Sequence, residues 1–211
     1  MDKIRIIGVP QSNFVWVVRM ACEEKGVPYD IAPVRPHTPE VEAIHPLGKI
    51  PVMRHGDLAL FESKAIATYI DRSFPGPKLI PDDPHAAAEV EQWVSFINTE
   101  ADPCLVRKYL LAYFFPRTPD GKPDRAVIDG VLPAVEKQIA LIDRAVAETD
   151  HLAAGRFTLA DIYLLPILYY VRQCPEGADL INAAKHLPGY FARHAERPCF
   201  KASTPPPLPG R

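Results

Sequence analysis

The stretch that most restricts the fold is residues 47–63, LGKIPVMRHGDLALFES. Two short, largely apolar runs, Val52–His55 and Leu58–Phe61, flank the turn pair Gly56-Asp57, a pattern that predicts a β-hairpin. Pro51 stands at the head of the first run, where its missing N–H costs no ladder hydrogen bond. Glu62 and Ser63 stand where a helix begins, and a helix N-terminus leaves backbone N–H groups available to an anion. The Ile50 backbone, the Lys49 side chain and the Ser63 helix end are therefore suited to holding a small charged ligand. A plain hairpin followed by a capped helix fits the same residues.

Upstream of the hairpin, residues 3–8 (KIRIIG) form a β-branched run and predict a first strand. A loop leads to Ser12, which stands immediately before a helical segment, Asn13–Lys25. Val15, Val18 and Cys22 share one side of that helix. Gly26 stops it and Pro28 prevents its continuation. Tyr29–Ala32 predicts a second strand, residues 38–45 a short irregular helix, and Ser63–Ser73 a helix with Ile66, Tyr69 and Ile70 on its apolar side. The order is βαβαββα. A serine at position 12 is by default a helix cap, and Cys22, well inside the helix, reads as core.

After residue 73 the character changes. FPGPKLIPDDP (residues 74–84) is rich in Pro and Gly and reads as a linker. β signals stop there. Residues 84–115 predict one long helix kinked at Pro103. Residues 115–124 form a second break, and residues 126–148 carry apolar side chains at helical spacing. Thr158 and Asp161 have the spacing of an N-cap and its N3 partner, with Phe157 and Ile162 placed as a hydrophobic staple. The expected architecture is an α/β domain over residues 1–76, a linker over 77–86, an all-α domain over 87–203 and a Pro-rich tail over 204–211.

Composition removes several function classes. The formal net charge is −2, which provides no basic field for nucleic acid. The longest apolar run, residues 162–171, is too short to span a membrane, and the charged start MDKIRIIG shows no secretory signal. The four cysteines lie far apart, with no C-x-x-C and no zinc spacing, so no metal is expected and a reducing cytoplasm fits.

The order G-[KQ]-[IV]-P, hairpin, E-S-x-A-I resembles the glutathione-binding core of cytosolic glutathione transferases. Here it reads Gly48-Lys49-Ile50-Pro51 and Glu62-Ser63-Lys64-Ala65-Ile66. GRFTLADI (155–162) resembles the helix-starting box of that family's helical half, and residues 187–201 resemble its closing helix. The resemblance implies a thioredoxin-like N-terminal domain with Pro51 in cis, followed by an all-helical domain. It implies that Ile50 pairs its backbone with the cysteinyl part of glutathione, and that Glu62 and Ser63 hold the γ-glutamyl end. Lys49 is placed to meet the glycyl carboxylate, as is His37, whose stretch resembles a phi-class motif. Phe14 completes the set of glutathione contacts.

Ser12 occupies the place of the active serine in the phi, theta and zeta classes and many bacterial relatives. Asn13 is a second hydrogen-bond donor there and remains an alternative, while Trp16 stands where many bacterial relatives carry arginine. A second-substrate pocket is expected from Phe14, Arg107, Tyr109, Tyr113 and Phe114. For the aromatic residues a core role, and for Arg107 an ion pair, is equally compatible with the sequence. The implied activity is conjugation of glutathione to electrophilic, mostly apolar small molecules, by a homodimer with Arg72 and Trp93 as candidate interface residues. Glutathione-dependent isomerisation or peroxide reduction, and a noncatalytic binding module, are the alternatives.

Overall fold

The computed structural model describes residues 3–207; the end of the Pro-rich tail, from residue 208, lies outside them. The chain divides into two compact units. One runs to Ile80 and takes in the chain again from Ala195; the other is Pro81–His194. The division falls between Ile80 and Pro81, and the last helix belongs to the first unit.

In the first unit the elements are β1 (Ile4–Ile7), α1 (Asn13–Lys25), β2 (Tyr29–Ala32), α2 (Pro39–Glu42), β3 (Val52–His55), β4 (Leu58–Phe61) and α3 (Ser63–Ser73). They form one four-stranded sheet ordered β2-β1-β3-β4. β1 and β2 are parallel; β3 runs antiparallel to both β1 and β4. This is the thioredoxin-like arrangement that the element order implies. Alternation along β1 separates two cores. Ile4 and Ile6 join Met53 and the α1 and α3 residues Val15, Val18, Cys22, Ile66 and Ile70. Ile7 joins Val52 and the α2 residue Val41.

α1 ends where Gly26 adopts φ +66 and its N–H closes on Glu23 O, a left-handed stop that glycine accepts without strain. Lys25 in the last turn is buried. It donates to Asp71 Oδ1 at 3.1 Å and to Pro77 O at 3.0 Å, while Asp71 accepts from the N–H groups of Leu79 and Ile80. The end of the first unit is thus tied to α1 and α3 by one buried ion pair. Burial pushes the Cys22 thiol up to about 12, with Glu23 adding to the shift, as a core position requires.

The second unit contains α4 (Pro84–Phe96), a π-helical segment (Ile97–Leu110), α5 (Leu111–Phe114), α6 (Arg125–Ala145), α7 (Leu159–Val171), α8 (Pro175–Ala183) and most of α9 (Leu187–Ala195). The single kinked helix expected over 84–115 is therefore corrected to an α–π–α succession. Buried residues recur at 97, 101–102, 104–106 and 109–110, groups about four residues apart, slower than the 3.6-residue α period and in keeping with i→i+5 bonding. Pro103 sits within the segment and has no N–H to bond.

At the start of α7, Thr158 and Asp161 form the expected capping box, buried and reciprocal. The closing helix expected over 187–201 is also corrected. It is broken into α9 and α10 (Pro198–Ser203) because Pro198 drives Arg197 out of helical geometry, to φ −60, ψ 140. α10 packs on α1 within the first unit: Trp16 Nε1–H donates to Ser203 Oγ at 2.9 Å and its ring lies 5.1 Å from that of Phe200. Trp16 is a core residue.

Candidate functional site

Register gathers the expected ligand groups at one end of the sheet. Ile7 pairs with Val52, and Val52 pairs with Phe61. The residues just beyond these partners are Gly8 and the loop to Ser12, the Ile50–Pro51 pair, and Glu62–Ser63. The Ile50–Pro51 peptide bond is cis. Gly8, at φ +153, lets the β1–α1 loop pass close by: a Cβ there would lie 2.6 Å from Val15 Cγ2 and 3.1 Å from Ile50 Cβ.

Ser12 is the N-cap residue of α1 by backbone geometry, φ −66 and ψ 128, but its side chain makes no cap hydrogen bond. Its hydroxyl is thus not spent on the helix. The first turn of α1 carries no acidic residue, so the positive end of the helix dipole is not offset there. Asn13 follows, buried, and Phe14 is partly buried. The Ser12 N–H closes a turn on Val9 O at 3.1 Å.

On the other side of the cis bond, Gly48 adopts φ +62 and accepts a hydrogen bond from His37 N–H at 2.8 Å. A Cβ on Gly48 would strike His37 Nδ1 at 2.6 Å, so the glycine permits His37 to sit against the turn that carries Lys49. His37 and Lys49 are both exposed. Glu62 is the N-cap of α3 with the left-handed value φ +66, its carbonyl accepting from Ile66 N–H at 3.0 Å. Ser63 is buried at the first helical position. The first unit thus brings Ser12, Asn13, Ile50, Pro51, Glu62 and Ser63 to one sheet end, with the His37–Lys49 loops beside Ile50.

The candidates in the second unit have partners within that unit. Arg107 forks onto Asp102, Nε to Oδ2 at 2.8 Å and Nη2 to Oδ1 at 3.2 Å. Tyr109 is fully buried; its hydroxyl accepts from Gly177 N–H at 2.8 Å and donates to Glu176 Oε2 at 3.2 Å. Tyr113 also donates to Glu176 Oε2 and accepts from Arg125 Nη1 at 2.8 Å. Burial works to raise the Glu176 carboxyl, but the hydrogen bonds from Tyr113 and Arg125 outweigh it and hold the group down at about 2. Burial and the same carboxylate push Tyr113 up to about 12. Phe114 is partly buried, as is Trp93, which packs edge-on to Phe96; Arg72 is exposed.

His45 and Glu176 are not among the residues that the sequence marks as site candidates. His45 is a single histidine ahead of a proline, and its buried position is visible only in the folded chain. Glu176 lies on α8, for which a proline at the first position and an acid at the second were the available signals. Among the described residues no group of three or more His, Cys, Asp or Glu side chains forms a candidate metal site.

Known proteins are similar to this chain in sequence and in fold. The family described as the glutathione S-transferase N-terminal domain matches residues 6–78, and the glutathione S-transferase C-terminal domain matches residues 93–198. The chain belongs to the glutathione S-transferase family. Glutathione S-transferase 3 of Zea mays is 32% identical over 99% of this chain and 98% of its own length. Among solved structures, glutathione transferase F7 from Populus trichocarpa superposes with a TM-score of 0.86 at 27% identity, covering 95% of this chain and 97% of that one. Glutathione S-transferase I from mais, in complex with an atrazine glutathione conjugate, does so with a TM-score of 0.85 at 25% identity, covering 95% and 96%. Both family domains fall in chain order, with the sheet end built by Ser12, Ile50–Pro51 and Glu62–Ser63 inside the first.

Proposed function

We propose that this glutathione transferase joins glutathione, as its thiolate, to electrophilic and mostly apolar small molecules, with Ser12 stabilising the sulfur anion. The reading is carried by one observation. Ser12 heads α1 at the sheet end shared with Ile50–Pro51 and Glu62–Ser63, and its hydroxyl is not engaged as a cap. Glutathione lies along that end. Its γ-glutamyl group meets Glu62 and Ser63, its cysteinyl part meets the Ile50 backbone, and its glycyl carboxylate meets Lys49 and His37. Phe14 flanks the sulfur and is the proposed electrophile contact of the first unit.

A free thiol ionises near ~8.5, so most of it is protonated at neutral pH. The Ser12 hydroxyl donates to the sulfur and the start of α1 adds a favourable field, both of which favour the thiolate. The helix end supplies only ~0.3–1 kcal/mol, whereas a hydrogen bond to a charged group supplies ~1.5–3 kcal/mol, so the hydroxyl is the larger effect. With 1-chloro-2,4-dinitrobenzene the thiol proton goes to solvent and the sulfur forms a bond to the ring carbon. Chloride leaves with the electrons of its own bond. No covalent enzyme intermediate is needed.

The active form is proposed to be a homodimer in a reducing cytoplasm. Cys22, Cys104, Cys174 and Cys199 are buried and form no disulfide among the described residues, which fits that compartment. Exposed Leu47 and Phe61, beside the Ile50 turn and Glu62, are apolar surface for a second copy to cover.

The test is the pH–rate profile of wild type and Ser12→Ala with 1-chloro-2,4-dinitrobenzene, with Asn13→Ala as control. Ser12→Ala is expected to lose roughly ten- to a hundredfold in rate at neutral pH, and to recover as rising pH ionises the thiol unaided. A wild-type profile for Ser12→Ala together with an inactive Asn13→Ala would transfer the role to Asn13. Glutathione binding without turnover in the wild type would sink the conjugation reading itself.

A further inference from the structure

His45 lies outside the residues assigned above, yet it is only 4% exposed and faces Glu62. The Leu47 N–H donates to its Nδ1 at 3.0 Å. A ring nitrogen that accepts carries no proton, so the hydrogen of the neutral ring is on Nε2. Nε2 stands 3.6 Å from Glu62 Oε1. The Phe61 ring packs against the imidazole with centroids 4.7 Å apart. The backbone is held as well: His45 N–H donates to Val41 O and its carbonyl accepts from Gly48 N–H, both at 2.8 Å. The imidazole is therefore fixed, with its protonated nitrogen aimed at a carboxylate whose side chain is otherwise 66% exposed. Glu62 makes no side-chain cap bond that would orient it instead.

We propose that His45 is a positioning residue for glutathione, acting through Glu62. The inference rests on the reading that Glu62 holds the γ-glutamyl end. Its Nε2–H steadies one carboxylate oxygen and leaves the other directed at the γ-glutamyl ammonium. A long, exposed carboxylate side chain otherwise loses rotamer freedom when it binds, and fixing it beforehand removes part of that cost. The separation of 3.6 Å makes the contact electrostatic rather than a full hydrogen bond, so its effect is moderate.

The test is steady-state kinetics with glutathione varied. His45→Asn keeps an acceptor near the position of Nδ1, preserving the Leu47 turn, but has nothing at the position of Nε2. His45→Gln places an N–H close to where Nε2 stands. His45→Asn should raise the glutathione KM about two- to fivefold, the range of a weak, partly exposed polar contact, with kcat and the KM for 1-chloro-2,4-dinitrobenzene unchanged. His45→Gln should restore most of the loss. In a Glu62→Ala background, His45→Asn should add nothing, because the residue through which it acts is gone.

The proposal is overturned if Glu62→Ala raises the glutathione KM while His45→Asn does not. It is equally overturned if His45→Asn has the same effect with and without Glu62, which would make its role one of holding the turn. If Glu62→Ala itself leaves the KM unchanged, the assignment of Glu62 fails first and His45 falls with it. Thermal unfolding of each variant separates these outcomes from a lost fold.

Discussion

Glu62 and Ser63 divide the start of α3 between them. Glu62 holds φ +66, a conformation that costs a residue with a side chain of order ~1–3 kcal/mol. Its neighbour Ser63 is buried at the first helical position, where backbone N–H groups point outward from the helix. A carboxylate and a helix start side by side match the ammonium and carboxylate of a γ-glutamyl group, which is remote from the bond being made. Glu62→Ala and Ser63→Ala are accordingly expected to raise the glutathione KM more than they lower kcat, because lost uniform binding appears mainly in KM. Equal losses in both constants, with glutathione affinity intact by calorimetry, would contradict the assignment. At this scale the sequence is legible where a residue's place is set by its neighbours. Ser12 before a helix and Glu62-Ser63 after a strand are read from their immediate neighbours. His45 escapes notice because its partner is Glu62, across the hairpin, and Glu176 because its partners are Tyr109, Tyr113 and Arg125, far away in sequence.

Among the polar contacts that join elements of the helical unit, two knots each yield a prediction. In the first, Glu176 on α8 binds Tyr109 from the π segment, Tyr113 from α5 and Arg125 from α6. Its carboxyl is held at about 2, below the ordinary 4.5, so the folded chain binds fewer protons there than the unfolded chain. The stabilisation is complete above about 4.5 and is lost as pH falls toward about 2. Wild type should therefore lose more thermal stability than Glu176→Gln between about pH 5 and pH 3; parallel acid limbs would exclude the coupling. In the second knot, buried Asp161 accepts from Leu152 N–H, Thr158 N–H and the Tyr190 hydroxyl. Asp161→Ala strands these donors and should cost ~3 kcal/mol or more in urea unfolding. A loss below ~1 kcal/mol would mean that water takes over the site. The Thr158–Asp161 box was legible because both partners sit within one turn. The π segment was not, since its apolar residues also satisfy an α pattern over any short window and only their accumulated drift reveals the wider turn.

Over the whole molecule, what was legible was the order of elements from β1 to α3, because strand and helix periods are local. α1, β2, β3, β4 and α3 lie where period and turn residues place them. The return of α10 to the first unit was not, since it depends on Trp16 meeting Phe200 and Ser203 from the opposite end of the chain. Surface chemistry at this scale bears on assembly. Leu47 is 65% exposed, Phe61 40% and Leu58 36%, and all three belong to the hairpin region of the first unit. Leu47 occupies a turn, where exposing a large apolar side chain gains nothing for the fold of one chain. Its exposure is relieved if a second copy covers it, burying area worth about 25 cal/mol per Å². A two-fold pairing would use the same patch on both chains, so one substitution acts twice. Wild type is expected to scatter light at twice the 23.5 kDa chain mass at micromolar concentration. Leu47→Asp should shift the population toward the single-chain mass, with an unaltered circular dichroism spectrum. A wild type found only at the single-chain mass would refute the dimer, and a dimer indifferent to Leu47→Asp would move the interface elsewhere, to Arg72 and Trp93 as the next residues to substitute.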